Sequence, residues 1–224
     1  MLKKSTLLIS LGTFIALFLS VPSSFAQSDP IYVPLPGGVK STLYKPDSGP
    51  APDVAVLTVH RVSNKLSGLE CTELSKRGFM VLCLNTRFDN NEAEVLFETM
   101  ALDVKQGVDF LKKQPGIKNI ILWGHSGGGP TTTFYQAVAE NGPSYCQGPN
   151  KLVQCGNELA GLTPADGIIL VDAHPGNPAR RVRGMNPAIV SENRPDLLRP
   201  DLNPFNPANG FNPTGDSNYS EEFQ

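Results

Sequence analysis

The sequence predicts an α/β fold with a mostly parallel sheet and helices on both faces. Runs of consecutive apolar and β-branched residues recur along the chain at Val54–Val59, Phe79–Thr86, Asn119–Gly124 and Gly167–His174. Strands that are covered on both faces of a parallel sheet have this pattern. Helical patterns separate the runs, and an alternation of strand and helix is typical of the α/β class.

The stretches between these runs have helical spacing and recognisable ends. Residues Leu66–Arg77 predict a helix that ends at Gly78, because glycine is a favoured C-cap. Apolar residues recur at steps of four and three from Phe97 to Leu111, as expected for an amphipathic helix. A further helix is predicted from Pro130 to Asn141. Ahead of the first run, residues 31–46 predict a hairpin that turns at the two glycines in "LPGGV".

The N-terminal segment, residues 1–26, predicts a secretory signal peptide. A basic start, "MLKK", precedes an apolar run from about Leu7 to Val21, and small residues lead to a cleavage site after Ala26. A membrane anchor is the alternative, but the run is short for a span, which needs roughly 20 apolar residues. We therefore expect an exported protein, periplasmic or secreted, without stable membrane insertion after cleavage.

Composition excludes several kinds of partner. The chain has 19 basic and 21 acidic residues, a balance that does not indicate binding to nucleic acid or to anionic lipid. The basic cluster at Arg180–Arg183 fits a solvated loop. No cysteine or histidine spacing indicates a metal site, and no cofactor is expected.

The four cysteines predict at least one disulfide in an exported chain. Cys146 and Cys155 lie close together in a stretch rich in glycine, proline and asparagine, and they are the predicted pair. Cys83 lies in an apolar run and Cys71 in a helical one. For these two, buried free thiols and a second bridge both remain open.

The chemistry-bearing motif is "GHSGG", residues 124–128, which matches G-x-S-x-G. It lies between a buried strand and a helix, the context in which this motif forms a nucleophile elbow. Ser126 is the predicted nucleophile, and the backbone N–H of Gly127 is the predicted oxyanion donor. The alternative is a degenerate elbow in a protein without catalysis.

With this motif, the hairpin and the order of strands and helices, residues 31–174 resemble an α/β-hydrolase. The resemblance implies a serine hydrolase that cleaves carboxylic esters, or amides, of small molecules through an acyl-enzyme without a cofactor. It also implies a second oxyanion N–H in the loop after the strand at Val54–Val59. That loop reads His60-Arg61-Val62, with arginine where the family often has glycine. Val62 is the predicted donor, with His60 as a scaffold. Arg61 is expected on the surface, and a contact with an acidic substrate is the alternative.

The triad acid and base are harder to place. His174 is the only histidine downstream of Ser126, and Asp172 precedes it just beyond a predicted strand. They are the candidate base and acid, but residues two apart rarely line up toward a third group. The family usually takes both from later strands. We therefore expect a truncated chain that lacks the last strands and has little or no activity. A non-catalytic binding module and a disrupted gene product are the alternatives.

The predicted organisation has three parts. Residues 1–26 form the signal peptide and residues 27–174 the hydrolase core. Residues 175–224 are rich in proline and asparagine and predict a lid or loop segment over the site. Asn218, followed three residues later by Glu221, indicates the start of an incomplete helix.

Overall fold

A computed structural model describes residues 29–224, so the predicted signal peptide lies outside the described residues. The described part contains one six-stranded sheet and four α-helices. The strands are β1 (Ile31–Leu35), β2 (Val39–Tyr44), β3 (Val54–His60), β4 (Met80–Asn85), β5 (Asn119–His125) and β6 (Gly167–Val171). The helices are α1 (Leu69–Ser75), α2 (Phe97–Lys112), α3 (Gly128–Asn141) and α4 (Asn177–Gly184).

The sheet has the order β1-β2-β4-β3-β5-β6. Strand β2 runs antiparallel to both β1 and β4, and the pairs β3–β4, β3–β5 and β5–β6 are parallel. The predicted hairpin is confirmed, and its turn uses Gly37 and Gly38 at φ of 79° and 75°. The mostly parallel α/β sheet predicted from the apolar runs is confirmed as well.

Helices cover both faces of the sheet, as predicted. Helices α2 and α3 pack on one face, where Leu57, Val104 and Tyr135 belong to the larger buried cluster. Helix α1 packs on the other face, where Cys71 and Val81 belong to a smaller cluster. Strand β4 is buried along its whole length, which explains why its sequence lacks the alternation of a half-exposed strand.

The structure contains two disulfides. Cys146 pairs with Cys155 across a Cα–Cα distance of 5.5 Å, in the connection between α3 and β6. Cys71 of α1 pairs with Cys83 of β4 at 6.3 Å, which answers the question that the sequence left open. The second bridge joins a helix to the centre of the sheet, within the smaller cluster.

The C-terminal segment differs from its sequence prediction. Helix α4 lies where an irregular loop was expected, and no helix begins at Asn218. Instead, the Phe223 N–H donates to the carbonyl and hydroxyl oxygens of Ser220, and only a single turn forms, at residues 221–223. The asparagines that precede prolines fold the chain locally, since Asn203 and Asn206 each accept from the N–H two positions on. Among residues 29–224, no helix is long and apolar enough to cross a bilayer.

The bridge between Cys146 and Cys155 closes a loop with a sequence separation of 9. Replacing both cysteines by serine should lower the free energy of unfolding by about 2–3 kcal/mol, because the unfolded chain gains the loop-closure entropy. Urea denaturation followed by circular dichroism measures this loss. Leu152→Ala is the control, since Leu152 lies in the same loop and is fully exposed. An unchanged midpoint in the double variant would contradict the prediction.

Candidate active site

Ser126 lies on a sharp turn between β5 and α3. Its φ of 51° is left-handed, a conformation that costs a non-glycine residue on the order of 1–3 kcal/mol. The Ser126 N–H donates to the Val171 carbonyl at 3.1 Å, and the Ser126 carbonyl accepts from the Gly129 N–H at 3.1 Å. The surrounding chain therefore holds the strained backbone in place and leaves the serine side chain half-buried at the carboxyl end of the sheet.

Two glycines allow α3 to begin in direct contact with the sheet. A Cβ atom at Gly128 would collide with the carbonyl oxygen of Val59 in β3. A Cβ atom at Gly124 would lie 2.6 Å from the Thr132 hydroxyl. Both positions require the absence of a side chain, which explains in physical terms why the elbow sequence is rich in glycine.

The start of α3 presents free donors beside Ser126. Among residues 29–224, no hydrogen bond is found from the Gly127 N–H. Gly127 is the residue before α3, and the positive end of the helix dipole lies at this end of the helix, beside Ser126. The Thr131 hydroxyl donates to the Gly127 carbonyl at 2.9 Å and stiffens this turn. The geometry is thus compatible with the oxyanion role predicted for Gly127, which stays a prediction.

His60 ends β3 and organises the loop that follows. Its Nδ1 accepts from the backbone N–H groups of Val62 at 3.1 Å and Ser63 at 2.9 Å. A neutral imidazole carries one proton, so that proton is assigned to Nε2. Burial lowers the pKa of His60 to about 4, with the charges of Arg61 and Lys65 acting in the same direction. His60 is therefore neutral near pH 7, with the Nε2–H on the side of Gly127.

The bond to His60 changes the expectation for Val62. The Val62 N–H points at the imidazole, and the Val62 carbonyl accepts from the Asn90 N–H at 2.8 Å. Both backbone groups are engaged within the protein. In this conformation the Val62 N–H is already bonded to His60 Nδ1, so it is not free to act as a second oxyanion donor. The sequence could not show this, since the direction depends on where the His60 ring lies.

Arg61 is buried, although the sequence suggested a surface position. Its side chain is 11% exposed, and its Nε donates to Glu92 at 2.7 Å. Its Nη1 lies 2.8 Å from the position that a Cβ atom of Gly127 would occupy. The Thr86 hydroxyl donates to the Arg61 carbonyl at 2.6 Å. The loop after β4 thus covers Arg61 and holds its guanidinium beside the elbow.

His174 lies near the site but is not bonded to Ser126. Its Nε2 is 3.2 Å from Arg61 Nη1, and its Nδ1 faces the Gly176 N–H at 3.1 Å. A neutral imidazole has one acceptor nitrogen, so only one of these two contacts can be a hydrogen bond, and neither nitrogen contacts the serine hydroxyl. Burial, then Arg61 and Arg180, lower the pKa of His174.

Asp172, the candidate acid, is exposed and has a left-handed φ of 46°. Within residues 29–224, no hydrogen bond joins Asp172 to His174, and none joins either residue to Ser126. The structure therefore brings Asp172 and His174 to the carboxyl end of β6, beside the elbow, without assembling a triad. Their catalytic roles stay predictions.

Two cavities adjoin the elbow. One, of about 330 Å³, lies between the start of α3 and the segment after β6, and its walls include Pro130, Thr133, Leu170, Ala173 and His174. The other, of about 560 Å³, lies between α1 and the β5–β6 edge on the opposite face, where it is mostly apolar and does not include Ser126. In the described chain, no group of three or more His, Cys, Asp or Glu residues could hold a metal ion.

The hairpin, the parallel strands and the strained serine between β5 and α3 are features predicted from the sequence. The described chain has an α/β fold with a mostly parallel sheet and a strained serine at the turn from β5 to α3. No protein-family model matches the chain, and no curated protein matches its sequence.

Solved structures show weak similarity. A bacterial heroin esterase aligns at 18% identity and a TM-score of 0.47, over 66% of this chain and 45% of the esterase. Siderophore hydrolase EstB from Aspergillus fumigatus aligns at 14% identity and a TM-score of 0.44, over 67% and 43%. Brefeldin A esterase, a bacterial homologue of human hormone sensitive lipase, aligns at 17% and 0.43, over 55% and 38%. The chain thus spans less than half the length of these structures, and similarity at this level does not indicate a substrate.

Gly128→Ala should destabilise the protein by about 2 kcal/mol or more, because the new methyl group overlaps the Val59 carbonyl and forces α3 away from β3. Thermal or urea denaturation measures the change. Gly148→Ala is the matched control, since a Cβ atom there meets nothing within 4 Å. Equal stability of the two variants would show that α3 does not need this contact.

The low pKa of His60 predicts a pH-dependent stability. As the pH falls from 6.5 toward about 4, the unfolded state binds a proton that the folded state does not, so stability falls. The slope from one such proton is at most about 1.4 kcal/mol per pH unit. His60→Asn keeps an acceptor for the loop N–H groups and should flatten the curve in this window. His125→Asn, at an exposed position, is the control, and an unchanged slope in His60→Asn would contradict the assignment.

Proposed function

We propose that the protein is an exported serine hydrolase that cleaves carboxylic esters of small molecules, with Ser126 as the nucleophile. The observation that carries the proposal is the left-handed Ser126 between β5 and α3, next to the free N–H of Gly127. Backbone strain at a serine that faces solvent at a helix start is a feature of nucleophile elbows. Amide bonds are a second class of substrate for the same chemistry.

In this reaction Ser126 Oγ attacks the ester carbonyl, and a base takes the hydroxyl proton. The carbonyl oxygen becomes an oxyanion that the Gly127 N–H stabilises. Collapse of the intermediate breaks the ester C–O bond, and the base returns its proton to the departing alcohol. Water then cleaves the acyl-enzyme. One oxyanion donor is typically worth about 3–4 kcal/mol of transition-state stabilisation.

The base limits the rate in this proposal. His174 is the candidate base and Asp172 the candidate acid, but His174 contacts Arg61 and Gly176 in place of Ser126. We therefore propose that the 224-residue chain both labels at Ser126 and turns over esters slowly, because each reaction needs His174 to leave Arg61 and approach the serine. The same missing contact is what favours the second candidate function, a binding module that keeps the elbow for folding and has no turnover.

Export is supported by two further observations. The N-terminal segment has the pattern of a signal peptide. All four cysteines are paired in the structure, as is usual for proteins that fold in an oxidising compartment. The proposed site of action is accordingly the periplasm or the medium.

A fluorophosphonate probe tests the nucleophile. It should label the wild-type chain and should fail to label Ser126→Ala, because the phosphorus is attacked only by an activated serine. Ser63→Ala is the matched control, since Ser63 lies in the neighbouring loop and only its backbone N–H contacts His60. Equal labelling of wild type and Ser126→Ala would exclude Ser126. No labelling of wild type, with ligand binding intact, would support the binding module.

A further inference from the structure

Arg61 carries a positive charge in the wall of the candidate site, and the proposed hydrolysis does not use it. We propose that the Arg61 guanidinium binds a carboxylate on the substrate, so that the site selects esters with a negative charge close to the scissile bond. This rests on the proposed function for the position of the substrate. It adds a substrate class, namely half-esters of short dicarboxylic acids and similar acidic esters.

The first argument is location. Arg61 directly follows β3, whose end contacts the start of α3 at Gly128. Its Nη1 lies 2.8 Å from the Cβ position of Gly127, the residue after the nucleophile, and 3.2 Å from His174 Nε2. The guanidinium is therefore in the space between the elbow and the segment after β6, where a bound ester must lie.

The second argument is that the guanidinium is held in one orientation. Its Nε is bonded to Glu92, and its backbone carbonyl receives the Thr86 hydroxyl. A side chain with 11% exposure has few alternative rotamers, so little entropy is lost when a ligand binds. A guanidinium held in this way is suited to binding an anion, because its side chain is already ordered when the protein folds.

The third argument concerns the donors that remain. A guanidinium has five N–H groups, of which one contacts Glu92 and one contacts His174. No acceptor for Nη2 is found among residues 29–224. The single buried side-chain atom without a partner in the described part is the hydroxyl oxygen of Ser75, so Nη2 reaches solvent. The edge formed by Nη1 and Nη2 is the edge that pairs with a carboxylate in two parallel hydrogen bonds.

The fourth argument is charge. Glu92 offsets part of the Arg61 charge, but its side chain is 51% exposed and its field is screened by water. Arg180 adds a second positive charge close enough to His174 to act on its pKa, after burial and Arg61. His60 is neutral at pH 7. The formal charges of Arg61 and Arg180 are matched by those of Glu92 and Asp172, but both carboxylates are exposed to water, whereas the Arg61 guanidinium is mostly buried and fixed. The attraction for an anion therefore comes from the guanidinium itself and not from the net charge.

The adjoining cavity limits the size of the substrate. It has a volume of about 330 Å³, borders His174, and has apolar walls at Pro130, Leu170 and Ala173. Arg61 and Ser126 do not line this cavity, but His174 both borders it and contacts Arg61, so we place the short aliphatic part of the substrate there with its carboxylate on Arg61. A substrate with only apolar groups would leave the Arg61 donors unpaired in a partly dry site, which costs binding energy.

The test compares two ligands of similar shape, monomethyl succinate, which is an anion at pH 7, and dimethyl succinate, which is neutral. Each protects Ser126 of the 224-residue chain against fluorophosphonate labelling, and the half-protecting concentration is measured. Wild type should prefer the anion by about tenfold. In Arg61→Gln this preference should disappear, and in Arg61→Lys it should be reduced, since the charge stays but the planar fork is lost. Thermal melting checks that each variant is folded.

A matched control removes the same charge elsewhere. Arg77→Gln lies on α1, where Arg77 pairs with Glu73 at an exposed position, and should keep the wild-type preference. Retention of the preference in Arg61→Gln would overturn the proposal. A second result would also overturn it. If Arg61→Gln labels more slowly than wild type in the absence of ligand but still prefers the anion, Arg61 is assigned to stabilising the oxyanion.

A second readout separates this proposal from the proposed function. Calorimetric titration of Ser126→Ala with monomethyl succinate measures binding without a nucleophile. Binding should be about tenfold weaker in Ser126→Ala/Arg61→Gln. If wild type fails to label but this difference is found, the hydrolase function fails and the anion site stands. If labelling is normal and the two affinities are equal, or neither variant binds, the anion site fails alone.

Discussion

The contact between Gly128 and the Val59 carbonyl is the constraint on which the site depends. It brings the start of α3 against the end of β3, and this close approach has three consequences for the site. It fixes the left-handed turn at Ser126, it leaves the Gly127 N–H without a partner in residues 29–224, and it brings the loop after β3 within reach of the elbow. A wider separation would keep the sheet intact but would disperse the groups that make up the site.

The groups assembled by this contact form a network with one cation at its centre. Arg61 joins Glu92 on one side and His174 on the other, while His60 is neutral and bonded to its own loop. A base role for His174 competes with this network, because its Nε2 faces a guanidinium that can only donate. The ring must leave Arg61 before it accepts a proton from Ser126. An anionic ligand on Arg61 offers that guanidinium another acceptor, so substrate binding and release of His174 favour each other.

The sheet, the helices and the elbow could be predicted because their signals are local. Apolar runs and helical spacing mark β3, β4 and α2 within single windows, and a serine among glycines after a strand has few structural alternatives. The surroundings of Ser126 could not be predicted in this way, because they depend on distant parts of the chain. Arg61 is buried by a loop that follows β4, and the Val62 N–H is bonded to the His60 ring. The start of a helix predicted at Asn218 failed for a related reason, since a short capping pattern has no core contact to stabilise it.

The Ser126 N–H donates to Val171 at the end of β6, and in the described chain β6 pairs with β5 alone. The nucleophile is therefore attached to one of the two edge strands of the described sheet. Strands at an edge open locally at a lower free energy than the whole protein unfolds. One such opening would release the backbone of Ser126 and the segment that bears His174 at the same time. The lifetime of the assembled site thus depends on how often β6 separates from β5. That lifetime can be short even while the core stays folded.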